Sequence, residues 1–212
     1  MHDSRHTRSL LLTGVAAPIL FGAATVITAA LRSEYSHLDQ FISELGETGS
    51  QFAWLMNYVG FMFSAALILI FVLAFRSYFP RSAMSFVASL LMVIFAIGVF
   101  FAGVYSCDAG CPLINRSPEQ KLHDVASLAL PVFTLGVAAW GVFFCRISQW
   151  RRFGFYSLAS AFFSVVILVL MIRSESSRDG TGLYQRLFLS VLFVWMIALA
   201  LRLWKMNEKG CK

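Results

Sequence analysis

The run Tyr105-Ser106-Cys107-Asp108-Ala109-Gly110-Cys111-Pro112 sets two cysteines around a tight Asp-Ala-Gly turn. On an oxidising face such a pair closes into a disulfide, which would stiffen the turn and hold Asp108 in place. Two rival chemistries use the same residues. Cys107, Cys111 and His123 are three ligands of the zinc type, with Asp108 or Asp124 as a fourth, but zinc sites favour closer Cys pairs. No metal is therefore expected. A redox-active pair is the other rival, although Cys-x-x-x-Cys departs from the usual Cys-x-x-Cys. His123-Asp124 follows, with Ser127 one helical turn beyond. A histidine near an acid and a serine is the raw material of hydrolysis. The catalytic candidates are His123, Asp108, Asp124 and Ser43. The plainer reading of His123-Asp124 is polar anchoring of a helix end, with the acid at the positive end of the helix dipole.

A second group of residues suits binding better than turnover. In the stretch Ser33–Gly46, Tyr35, Leu38, Phe41, Ile42 and Leu45 recur at helical spacing. Ser36 and Asp39 resemble a capping box, and Gly46 is a suitable stop. The pattern predicts a short amphipathic helix on the membrane surface or folded into a bundle mouth. Ser36, Asp39 and Ser43 share its polar face. Asp39, Ser43 and Glu44 are ligand-binding candidates, beside the plain reading of a solvated face. Arg173 to Gly182 reads as a solvated, turn-rich loop. Gln185 and Arg186 follow it. Arg186 would either clamp a phosphate or carboxylate or pair with an acid of another loop. His123, Gln185 and Arg186 complete the binding set.

The elements that carry these residues are membrane spans. The chain has 212 residues, 58% of them hydrophobic and only 13% charged. A soluble domain carries about 25% charged residues. The composition excludes a soluble globular protein and a nucleic-acid-binding domain. A helix needs roughly 20 apolar residues to cross the hydrocarbon core. Six runs qualify, at 9–31, 51–75, 82–105, 125–145, 153–172 and 184–204. The first is read as a retained helix, because its apolar run is longer than a signal-peptide core. The runs are apolar on all sides, so helices and not strands are expected. The fold class is all-α, a six-helix transmembrane bundle in one domain, with the short helix in its first outward loop. Gly14, Gly22, Gly60, Gly98, Gly103 and Gly136 would let helices approach closely. Asn57 would hydrogen-bond between helices, and Trp54, Trp140, Trp150 and Trp204 would mark interfaces.

Six spans put both termini on one side. That side holds eleven basic residues: Arg5, Arg8, Arg76, Arg81, Arg146, Arg151, Arg152, Arg202, Lys205, Lys209 and Lys212. Its acids are Asp3 and Glu208. The other side holds six basic residues, Arg32, Arg116, Lys121, Arg173, Arg178 and Arg186, and the remaining nine acids. Basic residues concentrate in the cytoplasm, so both termini are expected inside. The unusual polar residues then face outward, at the outer boundary of the membrane. Cys145 and Cys211 would lie on the reducing side. His2 and His6 have metal-like spacing but sit at the terminus.

Several pieces in order resemble a known family. They are Tyr35-Ser36, Ile42-Ser43-Glu44-Leu45-Gly46, Asn57 with Phe61, Cys107-Asp108-x-x-Cys111-Pro112, His123-Asp124, and Gly182-x-x-Gln185-Arg186 with Trp195. They look like the bacterial and archaeal membrane proteins of the domain of unknown function 998 family. The resemblance covers most of the chain and implies a six-helix inner-membrane protein. It implies no activity. There is no phosphate loop, dinucleotide fingerprint, His-Glu-x-x-His or Gly-x-Ser-x-Gly, so no cofactor is expected. The first functional expectation is binding, sensing or moving a lipid-like or amphipathic molecule. The alternatives are an intramembrane lipid hydrolase built on His123 with nearby carboxylates, and an accessory subunit that docks a membrane-protein partner. Membrane lipid is the expected surrounding; nucleic acid is not a partner.

Overall fold

A computed structural model describes the backbone of residues 8–209 and the side chains as far as Met206. His2, Asp3, Arg5, His6, Cys211 and Lys212, with the side chains of Glu208 and Lys209, lie outside the described residues. Six helical segments are long and apolar enough to cross a membrane: Arg8–Ala30, Leu55–Arg76, Ala83–Val104, Pro118–Cys145, Ser148–Ser174 and Thr181–Met206. Their main helices are α1 (Thr13–Ala30), α2 (Ser64–Arg76), α3 (Ala83–Val104), α4 (Pro118–Ser127), α5 (Ala129–Cys145), α6 (Arg151–Ser174) and α7 (Thr181–Lys209). Among the described residues there is no strand. Uncharged runs of this length must satisfy their backbone internally in lipid, and the helix does so within one segment.

The spans pack in chain order around a ring, and the sixth closes on the first. Ile19, Leu73, Phe86 and Phe162 are exposed on the outside, as a lipid-facing wall requires. Phe21, Phe61, Phe95, Phe133 and Phe193 fill the inside. One end of the ring is plugged by aromatic rings. Phe79 packs against Trp140, Phe144 and Trp150, with centroids 5.1–5.3 Å apart. Trp140 and Trp150 are therefore buried in the core and are not interfacial belt residues. Their neighbours Phe75, Phe79, Phe144 and Phe153 give them more apolar contact inside than a headgroup layer would.

Two spans depart from the expected helix where they approach the other end. The second begins at Leu55, four residues after the expected start, as a π-helical stretch Leu55–Phe63. Such wide turns are rare and gather at functional positions. The fourth begins at Pro118, not Val125. Ser117 accepts a hydrogen bond from the Gln120 N–H at 3.0 Å, and Pro118 occupies the first helical position. Cap and proline together start a helix before the apolar run begins. The same span breaks between α4 and α5, at Leu128. Pro131 has no N–H to offer the carbonyl of Ser127, which explains the break. The helix predicted in the first outward loop shrinks to a 3-10 turn, Ile42–Gly46, preceded by turns.

The small residues do not all act alike. A Cβ on Gly103 would lie 2.6 Å from the Asn57 carbonyl oxygen, and one on Gly22 meets nothing within 4 Å. Gly103→Val should cost about 1–3 kcal/mol through overpacking against backbone. A lower thermal midpoint in detergent would report it, and Gly22→Val should leave that midpoint nearly unchanged.

Candidate functional site

The three connections at the open end are bound into one lid. Glu44 is only 2% exposed. Its carboxylate accepts from Arg178 Nη1 at 2.7 Å, Gln40 Nε2 at 2.8 Å and the Phe41 N–H at 3.0 Å. Arg178 also donates through Nη2 to the carbonyls of Gly110 and Cys111, each at 2.7 Å. One guanidinium from the third loop thus grips the first and the second. Arg178 holds a left-handed backbone at φ 59° to do so, an uncommon conformation for a side-chain-bearing residue. Buried Glu47 accepts from Arg32 and from the Gly110 N–H at 2.6 Å. The Thr48 N–H donates to the Cys107 carbonyl at 2.8 Å. Asn57, in the π-helical stretch, donates to the Gly46 carbonyl at 2.9 Å and to Ser106 Oγ at 3.1 Å.

The start of α7 holds the same lid from the side. Gly182 lies against the Gln40 backbone, where a Cβ would collide. Leu183 N–H donates to the Leu38 carbonyl at 2.8 Å, and Gln185 Oε1 accepts from the Ile42 N–H at 2.6 Å. Arg186 donates to the carbonyls of Gln40 and Gly182 and to the Tyr35 hydroxyl. Among the described residues it pairs with no acid, against the alternative of an inter-loop ion pair; backbone carbonyls and a phenol take that place. Burial pushes the Tyr35 hydroxyl above its usual pKa, against the pull of Arg186. Tyr35 in turn donates to the Phe41 carbonyl at 2.8 Å. Asp39 accepts from Ser36 Oγ at 2.8 Å and from the Gly180 N–H at 3.1 Å. The third loop is exposed at Arg173, Ser176, Ser177 and Asp179, as its composition suggested, and it also fastens the lid through Arg178 and Gly180.

Cys107 and Cys111 are joined by a disulfide, with Cα atoms 5.2 Å apart. Among the described residues no three His, Cys, Asp or Glu side chains cluster as metal ligands. Asp108 receives the Ser117 N–H at 2.8 Å, and its own N–H donates to Gln120 Oε1 at 2.7 Å. Asp124 binds Arg116 and Gln120 Nε2, each at 2.7 Å. It sits in the second turn of α4, so it anchors a loop to the helix flank and not the helix start. Neither acid orients His123. The ring Nδ1 lies 2.7 Å from the Tyr105 carbonyl oxygen instead. A carbonyl only accepts, so Nδ1 carries the proton and Nε2 of the neutral ring keeps its lone pair.

Beneath the lid lie two cavities. The outer one, about 300 Å³, runs from the rim along Leu128, Leu168, Met171 and Ile172, between the fourth and fifth spans. Leu128 and Ile172 also face outward, so this side borders the lipid zone. The inner one, about 50 Å³, is lined by Phe21, Phe61, Phe95, Phe193 and Leu189. Ser43, His123, Ser127, Leu130 and Gln185 line both. Four polar side chains thus stand at the seam of an apolar interior. Ser43 Oγ lies 3.5 Å from Cys111 Sγ, which as a disulfide sulfur only accepts.

A family profile described as protein of unknown function (DUF998) matches residues 15–202. The chain belongs to this family. The match spans every lid and seam residue of this DUF998 protein. No curated protein and no solved structure matches the chain. Of the residues singled out in the sequence, Ser43, His123, Ser127 and Gln185 come together at the seam. Asp39, Glu44 and Arg186 serve the lid, and Asp108 and Asp124 fasten the second loop. Arg178, Glu47, Arg32 and Gln120 were missed. Their signal was present only as charge and amide in polar loops, with nothing local to single them out.

Removing Arg178 leaves the Glu44 carboxylate buried without its cation. Breaking a buried pair costs about 3–5 kcal/mol, and the partial exposure of Arg178 puts Arg178→Ala at about 3. Thermal melting and hydrogen exchange over residues 38–47 would read the loss. Pairing Glu44→Gln with Arg178→Met should recover most of it, and a wild-type result for Arg178→Ala would refute the latch. A second expectation concerns acid. The Ser36 hydrogen bond holds Asp39 below the ordinary carboxyl value, and the Ser117 N–H does the same for Asp108. Their stabilisation is complete above the ordinary carboxyl pKa and fades as pH falls through the lowered values. Protection factors of the lid amides, corrected for the intrinsic pH dependence of exchange, should therefore fall as pH drops below about 4. Asp39→Asn with Asp108→Asn should flatten that fall.

Proposed function

We propose that this DUF998 protein holds a lipid-like or amphipathic molecule in the cavity under its lid, on the outer side of a bacterial inner membrane. One observation carries the reading. A cavity of about 300 Å³, apolar along Leu128, Leu168, Met171 and Ile172 and charged at Arg116, Asp124 and Glu175, borders the lipid zone on one side and meets a seam of four polar groups. That volume lies at the lower bound of ligand pockets, about 300–1,000 Å³. An amphiphile matches such a site, since one end must lose water to apolar walls while the other keeps hydrogen bonds. The outward placement draws support from the bias of basic residues to the terminus side. The disulfide supports it too, because such bonds persist on oxidising faces. The aromatic plug at the opposite end favours a one-mouthed site over a through-path.

Hydrolysis has weaker support. His123 meets a carbonyl and not a carboxylate, and Asp108 and Asp124 are engaged elsewhere. The lid is then the gate of the site, with Glu44, Asp39 and Arg186 controlling access and not touching the ligand.

Photoreactive dodecyl amphiphiles with a diazirine on the chain test the reading directly. After irradiation in membranes, adducts should concentrate on the peptides carrying Leu113, Leu128 and Met171. Leu130→Trp, which fills the junction of the cavities, should remove them. Leu122→Trp, on the exposed outer face of α4, should not. Labelling spread evenly over the lipid-facing wall and untouched by Leu130→Trp would defeat the proposal.

A further inference from the structure

The seam has a definite hydrogen-bonding character. His123 is 4% exposed and has its Nδ1 proton committed to the Tyr105 carbonyl. Its Nε2 meets no protein donor among the described residues and, in the neutral ring, is an acceptor. Gln185 has the opposite vacancy. The Ile42 N–H needs an acceptor, which fixes Oε1 at that end of the amide. The Nε2 end is left with two N–H donors and no acceptor among the described residues. With the imidazole unprotonated, an acceptor and an amide donor therefore line both cavities.

The charges nearby have their own sign. Arg116 in the outer cavity is neutralised by Asp124 at 2.7 Å, and Glu175 adds a further carboxylate to that wall. The cation of Arg178 is held by Glu44 in the lid. An anionic headgroup would meet net negative charge in the outer cavity and no unpaired cation among the residues that line it. The inner cavity, at about 50 Å³, accommodates little more than a functional group, so the chain must lie in the outer one.

We infer that the site selects an uncharged amphiphile bearing a hydroxyl group, a long-chain alcohol, whose O–H donates to His123 Nε2 while its oxygen accepts from Gln185 Nε2. This rests on the reading that the cavity binds an amphiphile. A carboxylate brings no proton to Nε2, a methyl ether brings none either, and an ammonium brings no acceptor for Gln185. Chain length adds affinity without selectivity along the apolar stretch of Leu128, Leu168, Met171 and Ile172.

The test uses full-length protein in nanodiscs and tritiated 1-dodecanol. Unlabelled 1-dodecanol should displace the label at about tenfold lower concentration than dodecyl methyl ether, dodecanoate or dodecylamine, the scale of one unmade hydrogen bond. Gln185→Glu keeps an acceptor for Ile42 and removes the amide donor. It should weaken dodecanol binding by a similar factor, read well below the lowered thermal midpoint that a new carboxylate beside apolar walls brings. His123→Asn retains a donor for Tyr105, removes Nε2 and should do the same. Equal displacement by all four compounds would overturn the hydroxyl selectivity and leave amphiphile binding standing. Preference for dodecanoate or dodecylamine would overturn it as well. No saturable binding of any of them, together with uniform photolabelling, would sink both readings.

Discussion

Two carboxylates withdrawn from water govern the open end of this protein. Glu44 and Glu47 sit in the lid at 2% and 6% exposure, where an unpaired charge would cost several kcal/mol. Each is tolerated only because an arginine and a backbone N–H reach it. Those partners come from different loops. Arg178 arrives from the third connection, Arg32 from the end of the first span and Gly110 from the disulfide turn. Satisfying two acids therefore obliges three loops to assemble in one arrangement. Weakly structured segments gain a single conformation in this way, since buried polar networks stabilise only when complete.

What lies underneath follows from that closure. With Glu44 and Glu47 engaged above, the inner cavity below is bounded by rings, aliphatic chains and four polar side chains, and the outer one adds the Arg116–Asp124 pair and Glu175 to its apolar wall. The walls lose their regular helix in the same region. Pro131 breaks the fourth span beside Ser127, and the second span widens into a π-helix around Asn57. Broken helices are acceptable at membrane depth only where they are covered by protein or line a cavity. The opposite end shows the alternative solution, a plug of packed aromatics around Phe79, Trp140, Phe144 and Trp150.

Much of the architecture was legible because lipid imposes a local rule. A span must be apolar over its whole length, so five uncharged runs and a sixth flanked by Arg186 and Arg202 declared themselves residue by residue. The starts were less legible. Ser117-Pro118 is an ordinary helix opening, but the polar turns before the apolar run concealed it. The helical spacing from Tyr35 to Leu45 suggested a longer amphipathic helix. Its residues instead turn and fold inward, because α7 offers Gln185 and Arg186 as partners for backbone groups that a helix would have paired itself.

The site divides along the same line. His123, Ser43 and Gln185 stood out as chemically able residues, and their convergence was an expectation that sidedness alone could raise. Their roles depended on partners distant in the chain. Tyr105 sets the tautomer of His123, Ile42 sets the amide of Gln185, and Arg178 reaches Glu44 across 134 positions. Local composition determined the spans, their number and the gathering of polar residues on one side, since each is a property of a run. Tertiary structure alone decided which polar atoms close the lid and which remain open to the cavity. That division depends on distances between loops, and no single loop encodes them.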